Sequence, residues 1–130
     1  MRLLLDTHAL IWALSAPKKK LPAAAIDAIQ DPANDVFASA VCTWEVAIKS
    51  ALGKIAVDPR ALAHGISEAQ FAELRVSIAH TLRVRSLESH HRDPFDRLLV
   101  AQALEEGLTI VTHDPLIGAY PAPVLWDTIG

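Results

Sequence analysis

Short apolar runs of strand length alternate along this chain with segments of helix length, and few folds accommodate that alternation. Arg2-Leu3-Leu4-Leu5 is strand-like and ends abruptly at Asp6-Thr7. Ala9-Leu10-Ile11-Trp12-Ala13-Leu14 follows, long enough for a helix that stops before Pro17. Ala23 to Gln30, with Ile26 and Ile29 on one side, predicts a second helix; Asp31-Pro32 and Asn34-Asp35 form turns, and Val36-Phe37-Ala38 is the next strand. From Val41 to Leu52 the apolar residues Val41, Trp44, Ile48 and Leu52 recur at helical spacing before Gly53, and Glu45 stands beside that stripe. Between Asp58 and Leu87 the pattern predicts short helices near Pro59–Gly65 and Ser67–Ala72, a strand at Leu74–Ser77 and a helix over Ile78–Arg85. Asp93-Pro94-Phe95-Asp96 opens a long helix with an Asp cap, Pro in the first position and an acid in the first turn, running to Gly107. Leu108 to Thr112 is a β-rich strand ending at His113-Asp114-Pro115, and Pro123 to Trp126 adds a last short one. Parallel strands need crossovers, and crossovers bury the sheet. The expected fold is therefore a three-layer α/β/α sandwich around a central parallel sheet.

With 130 residues, 52% of them hydrophobic, the chain can bury one core but not two, so a single domain over residues 1–130 is expected. No apolar run approaches the stretch of about 20 residues that a membrane helix needs. Met1 to Leu5 lacks the apolar region of roughly 7 to 15 residues that a secretory signal requires. A cytoplasmic protein without a membrane partner is the expectation. The lone Cys42 has no disulfide partner, fits a reducing compartment, and reads as a small core residue rather than a nucleophile. A formal net charge of −3 excludes a protein that coats nucleic acid through bulk positive charge, so any such contact must be focal. Ala16 to Pro22, three lysines between two prolines, reads as a loop.

Ligands of open parallel sheets bind outside the carboxyl ends of the strands. Asp6 and Asp114 directly follow predicted strands, Asp96 lies in the first turn of a helix that starts at the same edge, and Glu45 is about one turn into the helix after the second strand. Four carboxylates held together repel one another, and one takes up a proton unless a cation offsets the charge. Magnesium is the natural cation: it is hard, prefers oxygen, and binds through one or two carboxylates together with substrate phosphate. Such a site suits phosphodiester hydrolysis, because the ion acidifies a water, orients it in line and stabilises the leaving oxygen.

Each acid also has a plainer role open to it. Asp6 or Thr7 can cap the first helix, Glu45 can pair with Lys49 four residues on, Asp114-Pro115 is a turn signal, and Asp96 favours the helix dipole. Four separate roles do not explain why all four acids share one edge. Asp93 is assigned mainly to capping, with a supporting role at the metal. His90-His91 lack Cys or a partner pair at zinc spacing and read as an exposed loop. His8 and His113 are assigned to local structure, and Trp12, Trp44 and Trp126 to core packing rather than base stacking. Lys18 to Lys20 read as a solvated loop, while Arg92 and Arg97, which flank the acids, are the candidates for phosphate contact.

Leu4-Leu5-Asp6-Thr7-His8, then Trp44-Glu45, then Arg92-Asp93-Pro94-Phe95-Asp96-Arg97-Leu98-Leu99, and finally Ile110-Val111-Thr112-His113-Asp114 resemble the successive motifs of PIN-domain ribonucleases, specifically the VapC toxins of type II toxin–antitoxin systems. The resemblance covers nearly the whole chain, in order. It implies a magnesium- or manganese-dependent RNA endonuclease acting on transfer or ribosomal RNA, inhibition by a VapB-type antitoxin, and a homodimer. It also implies Asp6, Glu45, Asp96 and Asp114 as the acidic quartet, with Thr7 and Thr112 as hydroxyl partners. The alternative is a catalytically silent PIN-like binding module, against which the presence of all four acids speaks. A phosphotransferase of the haloacid-dehalogenase type needs a second Asp where this chain has His8, and a phosphorylated receiver domain needs a late lysine, whereas no Lys follows Lys54.

Overall fold

The computed structural model describes residues 1–15 and 20–127. The elements run β1 (Arg2–Leu5), α1 (Thr7–Ala13), α2 (Ala23–Gln30), β2 (Asp35–Ser39), α3 (Ala40–Ala51), α4 (Pro59–Glu68), β3 (Ala72–Leu74) and α5 (Ile78–Arg83). A 3-10 turn at Val84–Ser86 leads to α6 (Pro94–Glu106), β4 (Thr109–Val111), α7 (Pro115–Gly118) and β5 (Val124–Leu125). The five strands form one sheet in the order β3-β2-β1-β4-β5, every pair parallel. Connections step toward β3 in the first half and return toward β5 in the second; right-handed crossovers in opposite directions put helices on both faces. This is the α/β/α sandwich that the alternation predicts.

The sheet's centre is its most apolar part. Leu4 pairs with Phe37 on one side and Ile110 on the other, and Leu3, Leu4 and Leu5 have no solvent exposure, as a strand covered on both faces requires. The strand order reverses between β1 and β4. Chains leaving these two strands diverge and open a crevice at the sheet's carboxyl edge.

Three of the helix starts follow one local rule. Asp58, Asp93 and Asp114 each precede a proline and accept a backbone amide from the first turn: Arg60 in α4, Phe95 and Asp96 in α6, Leu116 in α7. Gly107, at φ +66°, closes α6 in the left-handed conformation that glycine adopts at least cost. Between α3 and α6 lies a buried polar tie. The Ser39 hydroxyl donates to the Gln102 side-chain oxygen, and Gln102 Nε2 donates to the Arg75 carbonyl at 3.3 Å. Gln102 is fully buried, so this amide sets how the β2–α3 corner sits on α6.

The structure corrects four expectations. Gly65 does not end a helix: a Cβ there would meet Leu14 Cδ1 at 3.3 Å, so the glycine is a packing site and α4 continues to Glu68. The helix expected at Ser67–Ala72 is instead the end of α4 and a turn through Gln70, at φ 59°. The third strand therefore runs Ala72–Leu74 rather than the expected Leu74–Ser77, and Ser77 caps α5 instead. Asp114-Pro115 begins a single helical turn, α7, rather than a plain turn. On α3 the buried face is Val41, Cys42, Glu45 and Val46; Trp44, Ile48 and Leu52 of the expected apolar stripe face outward, because α3 packs against α1 and α6 through the face that also carries Glu45. Cys42 is fully buried, and that burial pushes its thiol up to about 12, which suits a core residue. Part of the loop expected at 16–22, with Lys18 and Lys19, lies outside the described residues. Among the described residues no helix is long and apolar enough to cross a membrane.

Candidate metal centre

At the crevice between β1 and β4 the backbone delivers acids from four directions. Asp6 ends β1 and caps α1, its Oδ1 accepting the Ala9 amide at 2.8 Å. Glu45 reaches in from the second turn of α3, Asp96 from the first turn of α6, and Asp114 from the corner after β4. All four line one cavity of about 360 Å³, together with Thr7, His8, Trp12, Lys49, Asp93, His113 and Pro115.

The two threonines hold two of these carboxylates. Thr7 Oγ1 donates to Glu45 Oε1 at 2.6 Å. Thr112 Oγ1 donates to Asp6 Oδ2 and accepts the Asp114 amide at 3.0 Å, so one hydroxyl links β4's end to the acid of β1. Lys49 pairs with Glu45 Oε2, which realises the plainer role foreseen for that residue without removing Glu45 from the cavity. Asp93 caps α6, as assigned, through bonds from the Phe95 and Asp96 amides at 2.8 and 3.3 Å.

His91 is the residue that sequence reasoning placed wrongly. It is only partly exposed, with a side-chain exposure of 11%, and its Nε2 stands 2.9 Å from Asp114 Oδ2 and 3.1 Å from Asp96 Oδ2. These three side chains each bring a candidate ligand atom within 4.8 Å of the others. Its Nδ1, however, accepts the backbone amide of Asp93 at 3.1 Å. An amide can only donate, so Nδ1 carries no proton and Nε2 must carry one. His91 is therefore a hydrogen-bond donor bridging two carboxylates, and in this orientation it has no lone pair to offer a metal. The one sequence cue was its place two residues before the Asp93 cap.

Arg97 is also redirected. Its guanidinium donates to the carbonyls of Glu88, His91, Val84 and Leu87 and to the Tyr120 hydroxyl, at 3.0 to 3.5 Å. Rather than facing a phosphate, it gathers the 84–91 segment that carries His91. Arg92 is exposed. Trp44 is 52% exposed, with an edge-on contact to Phe95 at 4.8 Å between ring centres, and so is not the core residue expected. Trp12 and Trp126 do pack against the core.

Burial first, and then the Asp93 charge, push the Asp96 carboxyl up to about 7, against the opposing pull of His91. Burial also pushes Asp6 upward, although its bonds from Thr112 and Ala9 work the other way. The donors are hard carboxylate oxygens, crowded enough that the site draws in positive charge. That donor set fits a divalent cation of the magnesium or manganese type.

A family model described as PIN domain matches residues 3–121. No curated protein matches the sequence. Among solved structures, VapBC2 from Rickettsia felis bound to a promoter DNA fragment superposes with a TM-score of 0.67 at 17% identity, over 98% of this chain and 100% of that one. VapBC-1 from nontypeable Haemophilus influenzae superposes with a TM-score of 0.56 at 16% identity, over 92% of this chain and 91% of that one. At such identities the likeness is one of fold.

Proposed function

Because this chain belongs to the PIN-domain family, we propose that it is a VapC-type toxin, a magnesium- or manganese-dependent endoribonuclease restrained by a VapB-type antitoxin. The observation that carries the reading is the convergence of Asp6, Glu45, Asp96 and Asp114 on one cavity at the point where strand order reverses. The two superposed VapBC structures support the choice of toxin and partner. A homodimer, one domain spanning residues 1–130, a cytoplasmic location, and transfer or ribosomal RNA as target are further parts of the proposal.

In this reading Asp6, Glu45, Asp96 and Asp114 hold the cation, which when bound supplies an acidified water and charge neutralisation at the phosphate. Thr7 and Thr112 fix the rotamers of Glu45 and Asp6, so those carboxylates are oriented before anything binds. Asp93 anchors the first turn of α6 and with it Asp96. His91 keeps the facing oxygens of Asp96 and Asp114 in register. Arg92, exposed beside this motif, is placed to meet the substrate backbone.

The test is direct. Purified chain free of antitoxin should cut RNA with Mg²⁺, stop with EDTA, and lose cutting in Asp6→Asn and Asp96→Asn; equal cutting by either variant overturns the assignment. The binding-only alternative has one observation on its side, since the Lys49 ammonium already offsets part of the acidic charge. A saturable rise in Tm with Mg²⁺ or Mn²⁺, together with cutting, decides against it.

A further inference from the structure

We propose that His8 and His113, backed by Trp12 and Trp126, form a stacking subsite for an unpaired nucleobase next to the phosphate held at the acids; the choice of a nucleotide as ligand rests on the nuclease reading above. The four rings follow one another without a break. His8 stacks on Trp12 at 5.5 Å between ring centres and 18° between planes, Trp12 meets Trp126 at 6.0 Å, and Trp126 stacks on His113 at 5.0 Å and 7°. His8, Trp12 and His113 line the same cavity as the carboxylates.

Burial differs along this series in a useful way. Both imidazoles are exposed, while both indoles are half-buried and packed on the core. An imidazole with one face spent on a fixed indole has its exposure on the rest of the ring. The wall is therefore stiff behind and open in front, and the ordering of its rings needs little further entropy when a flat ligand arrives. The sequence ties this wall to the acids: His8 follows Asp6 by two residues and His113 immediately precedes Asp114. A base on the wall and its own phosphate at the acids would belong to one and the same nucleotide. Lys20, with Nζ 5.5 Å from the Trp12 ring centre, adds positive charge of the sign a phosphodiester needs.

Every base has a π face, so such a wall accepts single strands with little sequence preference, whereas bases stacked and paired in an A-form helix are not available to it. Core packing alone does not account for two exposed imidazoles at the mouth of a charged cavity.

The experiment is an NMR titration of the metal-loaded protein with AMP and, separately, ribose 5-phosphate, following the three indole N–H signals. AMP should move the signals of Trp12 and Trp126 more than that of Trp44, which does not line the cavity, and bind roughly tenfold more tightly than ribose 5-phosphate. His8→Ala/His113→Ala should abolish that difference while folding normally, since both residues are exposed. Equal binding of the two phosphates, a shift at Trp44 alone, or a difference that survives the double variant overturns the subsite. RNA cutting without the AMP-specific shifts removes the subsite and leaves the nuclease; the shifts without cutting do the reverse.

Discussion

The imidazole of His91 and the carboxylate of Asp96 are joined by a bond whose direction is fixed: Nε2 donates to Oδ2 at 3.1 Å because the Asp93 amide occupies Nδ1. The same proton also faces Asp114, so one donor aligns two carboxylates from α6 and the β4 corner. His91→Ala should weaken Mn²⁺ binding by roughly 10- to 100-fold, as loss of groups that orient ligands does, and His91→Gln, which keeps an N–H at that reach, should recover part of it. Calorimetric titration of the three proteins with Mn²⁺ reads this. Tighter binding in the alanine variant would mean that His91 competes with the cation instead.

Without metal, the protein should lose stability as pH rises. An unfolded aspartate titrates near 3.8 and Asp96 in the fold near 7. Between those values the native state holds a proton that the unfolded chain lacks. The stabilising contribution is therefore complete below about 4 and lost through about 7. Asp6, also shifted upward, adds the same sign. The Tm of EDTA-treated protein should fall by about 5 to 10 °C between pH 5 and pH 8, corresponding to 1 to 2 kcal/mol. Mg²⁺ should raise Tm more at pH 8 than at pH 5; equal gains at both would place the cation away from Asp96.

Asp93 lends itself to a separation of roles. Asp93→Asn keeps an oxygen for the Phe95 and Asp96 amides and should change stability by less than about 0.5 kcal/mol, whereas Asp93→Ala should cost about 1 kcal/mol. Because the Asp93 charge raises Asp96, both variants should let Asp96 titrate at lower pH, visible in its side-chain carbonyl ¹³C signal. A ligand role for Asp93 would appear as lost metal affinity in the asparagine variant.

Arg92 and Arg97 should behave oppositely. Arg97→Lys, with one ammonium where five acceptors are gathered, should lower Tm by an amount equivalent to about 1 to 3 kcal/mol and speed proteolysis within residues 84–91. Arg92→Ala should leave Tm unchanged and reduce the salt dependence of RNA binding. Matching effects in both would remove the distinction.

Gln102→Leu should cost about 1 to 3 kcal/mol, because it strands the buried Ser39 hydroxyl and the Arg75 carbonyl. Its activity should fall further than its stability explains, as α3 and α6 carry Glu45 and Asp96 into one cavity. Urea unfolding beside RNA cutting at a temperature where the variant is fully folded checks both.

Much of this molecule is legible in order. Strand-length apolar runs specify β1, β2, β4 and β5, the Asp-Pro pairs mark helix starts at Pro59 and Pro94, and Gly107 marks a helix end, because backbone conformation follows from steric and hydrogen-bonding preferences a few residues long. The parallel sandwich follows from their alternation, and with it the shared edge of Asp6, Glu45, Asp96 and Asp114. What the tertiary structure alone decided is which face and which partner each side chain takes. Trp44, Ile48 and Leu52 make a regular apolar stripe, yet α3 is rotated so that Glu45, Cys42 and Val46 face inward. His91 reads as part of an exposed loop and Arg97 as a phosphate contact, yet one bridges Asp96 to Asp114 and the other gathers the carbonyls of the 84–91 segment. Those outcomes depend on contacts between residues distant in sequence, where packing and desolvation outweigh local periodicity, and no local window of the chain contains them.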